Sequence, residues 1–394
     1  MAGLRRQLPV HSPLSWGQLA QGARACLWPE QDRERLVGQA LCARYDASRV
    51  IATDSGTAAL TLALAAASAT AARPILLPAY GCFDLASAAV GARAPVSFYD
   101  VDPSTLGPDM AQLERLASRG TSAIVIAYVY GVPVDLEPIA ALCRAQGAVL
   151  VEDAAQAHGG SWRGKRLGAH GDLSILSFGR GKGVTSGGGG ALLIRSGGPA
   201  ADRLNALGAL APASSARTVL SAAVHHLLGR PALFGLPSAI PWLGIGQTVY
   251  HAPKEPRALS AASFAMLEVA LPRADALAEP RRARANALRA RLPVSARVGE
   301  RMVPGGIAGS LRLPALAPSA EARATLAASG ARLGVAAGYP VTLPELPQLS
   351  GLVLPGESTS GARVLASRLL TLPTHDQLTE REMQEMTQWI TASW

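Results

Sequence analysis

Short apolar runs alternate with helical patterns over the first half of the chain. The helical patterns cover residues 55–67 and 136–146, the first of them beginning at Asp54 or Ser55. The apolar runs have the length of buried strands. These runs lie at residues 73–78, 94–99, 121–129, 148–151, 174–178 and 191–194. Strands that alternate with helices predict an α/β fold with a mostly parallel, doubly wound sheet.

The pattern changes near residue 255. Long Ala/Leu/Arg helices are predicted over 257–292, short strands near 310–314 and 332–336, and a closing amphipathic helix over 379–392. Glu380 and Glu382 fall in the first turn of that last helix, where the helix dipole favours acids. We therefore predict two domains, a large domain over 1–254 and a smaller C-terminal α+β domain over 255–394.

Candidate chemistry lies where predicted strands end. An apolar run ends at Glu152 and Asp153, and Lys182 follows in a loop rich in Gly and Ser. A carboxylate can keep the pyridine nitrogen of pyridoxal 5'-phosphate protonated, and a lysine amine can form a Schiff base with the cofactor's aldehyde. Because neighbouring strand residues face opposite sides, Glu152 is expected to be structural. Taken alone, Lys182 could be an exposed loop residue and Asp153 a helix cap.

Several segments in order over residues 45–195 resemble the DegT/StrS family of aminotransferases, within the fold-type I pyridoxal phosphate enzymes. A looser match continues at Tyr339-Pro340 and at 372–375. The segments that carry the resemblance are Ser55-Gly56-Thr57-Ala58-Ala59-Leu60, Pro78-Ala79-Tyr80, Asp100-Val101-Asp102-Pro103, Tyr130-Gly131, Glu152-Asp153-Ala154-Ala155-Gln156-Ala157-His158 and Ser177-Phe178 with Lys182.

The resemblance implies an aminotransferase that acts as a homodimer with pyridoxal 5'-phosphate. The donor would be an amino acid, glutamate by family analogy, and the acceptor a ketone or aldehyde such as a keto-sugar nucleotide. Lys182 and Asp153 would be catalytic, whereas Arg180, Tyr250 and Tyr339 are candidates for substrate contact; no metal site is expected. The implied cofactor-binding residues are Gly56, Thr57, Ala58, Cys82, Phe83, Asp153, Gln156, Ser177 and Lys182.

Two departures from the family pattern leave alternatives open. Cys82 holds a position where relatives place an aromatic residue, so either Cys82 or Phe83 is expected over the cofactor ring. A polar motif of sugar-handling relatives is replaced by residues 244–251. The nucleotide-sugar class of acceptor is therefore left open. A decarboxylase or carbon–carbon bond-forming enzyme on the same fold is a second hypothesis, and a non-enzymatic regulator that holds the cofactor is a third.

Composition narrows the class further. The chain has 394 residues, a formal charge of +9 and 49% hydrophobic residues, which suits a large core. Basic residues are not interleaved with aromatics, so nucleic acid is not an expected partner. Four cysteines without a CxxC motif favour a reduced, cytoplasmic protein. Residues 231–253 contain no Asp, Glu, Lys or Arg. This predicts a dimer interface, a buried loop, or an exposed patch that contacts a membrane surface or an apolar substrate.

Overall fold

A seven-stranded sheet organises the larger part of the molecule. The computed structural model describes residues 5–68, 70, 72–195, 197–238, 248–299 and 303–394. The strand order is β1-β9-β8-β5-β4-β2-β3, and β9 runs antiparallel to both of its neighbours. The strands are β1 Arg49–Thr53, β2 Ile75–Pro78, β3 Val96–Tyr99, β4 Ala123–Ala127, β5 Val149–Asp153, β8 Leu173–Ser177 and β9 Gly190–Ile194.

Two small three-stranded sheets complete the strand inventory of the described residues. The first has the order β10-β6-β7 and the second β11-β13-β12, all antiparallel. Their strands are β6 Ser161–Trp162, β7 Lys165–Arg166, β10 Gly306–Ile307, β11 Arg312–Leu316, β12 Ala336–Ala337 and β13 Leu369–Pro373.

Fourteen helices are present in the described ranges. Several begin at a Ser, Thr or Asp whose side chain accepts a backbone N–H, for example Ser55 before α3 and Thr379 before α14. The helices are α1 Trp16–Leu27, α2 Arg33–Tyr45, α3 Gly56–Ala67, α4 Asp84–Ala92, α5 Met110–Ser118, α6 Glu137–Gln146, α7 Pro199–Asn205, α8 Ser215–Leu228, α9 Pro231–Ser238, α10 Ala261–Ala270, α11 Ala274–Arg289, α12 Ala320–Ser329, α13 Ser360–Arg368 and α14 Glu380–Ser393.

The predicted α/β class with a mostly parallel sheet is confirmed. Helix α3 and strands β2 to β5, β8 and β9 lie within a few residues of their predicted positions. The structure adds strand β1 and helices α1, α2 and α8, for which the sequence pattern gave no prediction. No helix in the described ranges combines the length and the apolar character that crossing a bilayer requires.

Two large hydrophobic cores occur among the described residues. The main core surrounds the seven-stranded sheet, and a second core joins α11, β11, β13 and α14. Helix α10 packs against α1, with Met266 beside Leu19 in a small third cluster. The division of the chain into domains at residue 254 stays a prediction.

The predicted apolar segment 231–253 lies partly outside the described residues. Residues 239–247 are not described, so the predictions for Trp242 and Leu243 fall outside the described ranges. Its first part forms α9, in which Phe234 is half-buried. At the C-terminal end of the segment, the carbonyl of His251 accepts a hydrogen bond from Ser87 Oγ at 2.6 Å, and Tyr250 packs against the main core.

Candidate active site

A cavity of about 250 Å³ opens at the carboxyl edge of the sheet. This is the edge at which open α/β sheets bind ligands. Most of the predicted site residues line it together: Gly56, Thr57, Cys82, Asp153, Gln156, Ser177, Arg180 and Lys182. A larger cavity of about 690 Å³ lies between the N-terminal segment and α8 to α11, and none of the predicted residues lines it.

The beginning of helix α3 forms one wall of this cavity. Ser55 caps the helix by accepting the N–H of Ala58 at 3.0 Å. The N–H groups of Gly56 and Thr57 precede the first hydrogen-bonded turn and lie at the positive end of the helix dipole, which suits an anion. A Cβ atom on Gly190 would lie 2.5 Å from the Gly56 nitrogen, so the strand can approach the helix this closely only as glycine.

Asp153 and Glu152 end strand β5 on opposite faces of the sheet. Asp153 lines the cavity, and its Oδ1 accepts the N–H of Ala155 at 3.0 Å. Burial raises the pKa of this carboxyl, which means that the protein alone supplies too little positive charge to balance it. Glu152 is fully buried and accepts hydrogen bonds from Tyr128 Oη at 2.6 Å and from the Gly168 N–H at 2.8 Å. Its network is structural, as the strand period predicts.

The loop that carries Lys182 is held from both sides. The N–H of Gly181 donates to Ser12 Oγ at 2.7 Å. Arg281 on α11 donates from Nη1 to the Gly183 carbonyl at 3.4 Å and from Nη2 to the His158 carbonyl at 3.0 Å. These contacts come from distant parts of the chain, and they place a half-buried lysine at the cavity.

His158 supports the site from behind. Its Nε2 lies 2.9 Å from the carbonyl oxygen of Ser177, and burial lowers the pKa of the imidazole to about 4. The ring is therefore neutral at physiological pH and donates from Nε2 to that carbonyl. His158 is thus a satisfied core histidine that fixes the end of β8.

Gln156 connects the cavity to a cluster of buried tyrosines. Its Oε1 accepts the N–H of Tyr130 at 3.1 Å, and its Nε2 donates to the hydroxyl of Tyr339 at 2.8 Å. The rings of Tyr130 and Tyr339 stack at 6.1 Å with an interplanar angle of 8°. The hydroxyl of Tyr80 accepts the N–H of Tyr339 at 3.0 Å. Burial raises the pKa of Tyr130 to about 12, so this phenol is neutral.

The remaining predicted residues do not line the cavity. The N–H of Ala58 is used by the Ser55 cap. Phe83 is buried at the start of α4, with its ring 6.2 Å from that of Tyr339. Tyr339 itself contacts the site through Gln156, whereas Tyr250 packs against the main core. Of the two candidates for the ring contact, Cys82 is therefore the one at the cavity surface.

Sequence reasoning missed several residues around the site. Asp54, Asp84 and Gly189 line the cavity, and Arg281 and Ser12 hold the lysine loop. The position of Asp84 just after the Pro78-Ala79-Tyr80 turn is a local signal that it lies near the site. Arg281 and Ser12 carry no local signal, because each is far from Lys182 along the chain.

The residues present fit pyridoxal 5'-phosphate. Asp153 is a buried carboxylate in need of a cationic partner, which a protonated pyridine nitrogen would be. The N–H groups at the start of α3 suit a phosphate, and glycines at 189 and 190 keep side chains out of that corner, since a Cβ on either would meet neighbours at 2.3 and 2.5 Å respectively. Lys182 supplies the amine, so each part of the cofactor has a matching group.

Comparison with known proteins gives a consistent picture. Residues 26–217 match the DegT/DnrJ/EryC1/StrS aminotransferase family. An L-glutamine:2-deoxy-scyllo-inosose aminotransferase of Micromonospora echinospora is 35% identical over 164 residues, which are 42% of this chain and 39% of that protein. The match thus spans about two fifths of that relative's length.

Solved structures extend the similarity to the whole chain at the level of fold. AtS13 from Actinomadura melliaura superposes with a TM-score of 0.76 at 23% identity, over 99% of both chains. The putative sugar aminotransferase Spr1654 from Streptococcus pneumoniae, solved in a PLP-form, gives 0.74 at 16% identity over 98% of this chain and 97% of that one. Residues 26–217 therefore resemble the DegT/DnrJ/EryC1/StrS aminotransferase family, and the chain has the fold of these solved structures.

Proposed function

We propose that this protein is a pyridoxal 5'-phosphate-dependent aminotransferase. The observation that carries the proposal is the shared cavity of Asp153, Lys182 and the start of α3. A buried carboxylate, an amine and an anion site in one cavity are the three contacts that this cofactor needs. The family match over residues 26–217 supports the same reaction class.

Each part of the cofactor has a proposed holder. Lys182 would hold it covalently, Asp153 would keep its ring nitrogen protonated, and the N–H groups of Gly56 and Thr57 with the Ser177 hydroxyl would bind its phosphate. Gln156 would lie beside the ring's phenolic oxygen and Cys82 against its face. When bound, pyridoxal 5'-phosphate accepts the electron pair that remains when a proton leaves the donor's α carbon.

Lys182 has a second role in this proposal. With its Nζ free, Lys182 would act as the base that takes the proton from the donor's α carbon, and pyridoxal 5'-phosphate, when bound, would supply the electron sink for this transfer. Arg281 serves this step indirectly, because its contacts with the Gly183 and His158 carbonyls fix the loop that carries the lysine.

The proposed substrates are an amino-acid donor and a carbonyl acceptor. The names of the relatives favour L-glutamine as the donor and an inosose, a cyclic polyhydroxy ketone, as the acceptor. L-glutamate as the donor and a keto-sugar nucleotide as the acceptor are the alternatives that the family resemblance adds. Arg180 lines the cavity with an exposed side chain, so we propose that it meets the acceptor at the entrance. Tyr250 is half-buried against the core and does not line the cavity, so it is a weaker candidate.

We further propose that the active unit is a homodimer. An apolar stripe along one face of α8 supports this, because its leucine and valine side chains are exposed in the single chain and would be covered in a dimer. The stripe consists of Leu220 (68% exposed), Val224 (44%), Leu227 (44%) and Leu228 (42%). A fully active monomer in a sedimentation experiment would contradict the homodimer. Binding of the protein to lipid vesicles would instead favour a contact with a membrane surface.

A labelled amino donor tests the proposed reaction. Holoenzyme is incubated with L-glutamine or L-glutamate labelled with ¹⁵N at the α-amino group and with a panel of cyclic ketones and keto-sugar nucleotides. The proposal predicts ¹⁵N in the acceptor product, and none with Lys182→Ala. Release of carbon dioxide or a new carbon–carbon bond would favour the second enzyme class. Bound cofactor with no turnover of any donor would favour a regulator.

A further inference from the structure

The larger cavity, of about 690 Å³, plays no part in the proposed reaction. Its volume lies in the range of sites that hold small organic molecules. It shares no lining residue with the candidate active site. The loop between β8 and β9 contributes to both, because Lys182 lines the smaller cavity whereas Val184 and Thr185 line the larger one. A ligand in the larger cavity would therefore contact the lysine loop at a place apart from the cofactor.

Most charged side chains in the lining of this cavity are cationic. They are the guanidiniums of Arg5, Arg230 and Arg273, and the described lining holds one carboxylate, that of Asp376. Asp376 already lies 2.8 Å from His11 Nδ1, and Arg5 pairs with a glutamate of α14 at 3.1 Å. Neither Arg230 nor Arg273 forms an ion pair with a carboxylate of the described residues. Two cations without a matching acid in one concave site favour an anionic ligand.

Trp16 gives the same cavity an exposed aromatic face. It is the first residue of α1 and is 56% exposed. The guanidinium of Arg230 lies 5.9 Å from the centroid of the indole, and the ring of His226 meets the indole edge-on at 4.5 Å. An indole next to a cation suits a ligand that joins an aromatic ring to an anion. The buried Nε2 of His226 has no hydrogen-bond partner within the part of the chain that the structure describes. Because buried polar atoms nearly always have a partner, this nitrogen also favours a polar ligand.

We infer that this cavity binds a small phosphate ester that carries an aromatic ring. Arg230 and Arg273 would hold the phosphate, because the guanidinium fork matches its oxygens and two cations match a charge of about −2. Trp16 would stack on the ring, and its contact with Arg230 lets one small molecule reach both groups. The inference goes beyond the proposed transfer reaction and does not rest on it, since the two cavities share no lining residue.

The test is binding of phenyl phosphate to cofactor-loaded protein by titration calorimetry. Glycerol 3-phosphate keeps the phosphate and lacks the ring, whereas benzyl alcohol keeps a ring and lacks the charge. We expect phenyl phosphate to bind about tenfold more tightly than either, the range for stacking on an aromatic side chain or for a charge-assisted pair. Equal affinity for phenyl phosphate and glycerol 3-phosphate, or no binding of phenyl phosphate at millimolar concentrations, would overturn the inference.

Variants test whether the ligand lies in this cavity. Arg230→Gln and Arg273→Gln should each weaken the binding of phenyl phosphate at least about fivefold. Trp16→Leu should remove the preference for phenyl phosphate over glycerol 3-phosphate, because stacking is lost. The matched controls are Arg363→Gln, whose side chain is 70% exposed, and Trp28→Leu, 66% exposed at the other end of α1. Both residues line neither cavity, so these variants should bind phenyl phosphate as the wild type does.

Folding and location are checked on the same proteins. Arg230, Arg273 and Trp16 are all exposed, so their variants should melt within a few degrees of the wild type. A variant that fails to fold, or an arginine variant of the pair that binds phenyl phosphate normally, overturns the inference. So does phenyl phosphate that binds only to cofactor-free protein, because it would then occupy the active site. Protein that takes up no cofactor would contradict the proposed function, whereas loss of phenyl phosphate binding in Arg273→Gln would still support this site.

Discussion

Neutralising the two adjacent carboxylates of β5 should give opposite results. Glu152→Gln is expected to destabilise the fold and to spare cofactor binding in the protein that remains folded. Asp153→Asn is expected to leave the fold intact and to remove turnover. The two residues are neighbours in sequence, so the contrast isolates the face of the sheet on which each carboxylate lies.

The magnitudes follow from the hydrogen bonds of each side chain. One oxygen of Glu152 accepts the Tyr128 hydroxyl and the Gly168 N–H, and the other accepts the N–H groups of His170 and Gly171. An amide NH₂ on either oxygen would face at least one backbone N–H donor. At about 1–3 kcal/mol for each unsatisfied buried group, plus the loss of charge-assisted bonds, the cost should be about 3–5 kcal/mol.

Asp153 gives a different estimate. Its Oδ1 accepts the N–H of Ala155, and burial raises the pKa of the carboxyl, so its charge does not stabilise the protein without cofactor. Replacement by Asn should change the free energy of unfolding by less than about 1 kcal/mol. With cofactor present, loss of the charge beside the ring nitrogen should lower kcat by several orders of magnitude.

The assay combines thermal melting of cofactor-free protein with cofactor titration and turnover. Glu152→Gln should melt roughly 4–6 °C below the wild type and Asp153→Asn within about 1–2 °C of it. Near-normal turnover in Asp153→Asn would show that another group holds the nitrogen. A Glu152→Gln protein that melts like the wild type would refute the account of its network.

Two further predictions concern the phosphate corner and pH. Gly190→Ala should weaken the affinity for pyridoxal 5'-phosphate at least about tenfold, because the added Cβ would lie 2.5 Å from the Gly56 nitrogen. The control is Gly197→Ala, whose added Cβ would have no atom within 4 Å and which should bind the cofactor normally in a spectroscopic titration. Burial lowers the pKa of His158 and His375 to about 4, so both imidazoles stay neutral in the folded protein, whereas in the unfolded chain they take up protons below about pH 6.5. As the pH falls from 6.5 to 4, each histidine should therefore lower the free energy of unfolding by up to about 1.4 kcal/mol per pH unit. Equal urea midpoints at pH 7.5 and pH 5 would contradict the second prediction.

The sequence was sufficient where local pattern and chemistry agree. Apolar runs predicted β2 to β5, β8 and β9, and the acids that end β5 marked the carboxyl edge of the sheet where Asp153 lies. Alternation along that strand assigned Glu152 to the other face. These features depend on residues close together along the chain, so one sequence is enough to predict them.

Contacts between distant segments were not predictable in the same way. Arg281 reaches the lysine loop from α11, and Arg312 reaches the tyrosine cluster from β11. Each looks like an ordinary basic residue in its own segment, and only the packing of the C-terminal part against the sheet gives it a partner. Strand β1 was missed because it is an edge strand that begins at an exposed arginine and is mostly half-buried, so it lacks the continuous apolar run of the other strands.

The most direct test of the central claim is the site of covalent cofactor attachment. The chain contains three lysines, Lys165, Lys182 and Lys254, and the first of them pairs with Asp46 at 3.0 Å on the surface. Protein loaded with pyridoxal 5'-phosphate is reduced with borohydride, digested and mapped by mass spectrometry. The account predicts a single modified peptide that carries the label on Lys182. Label on Lys165 or Lys254, or no retained cofactor after loading, would contradict it.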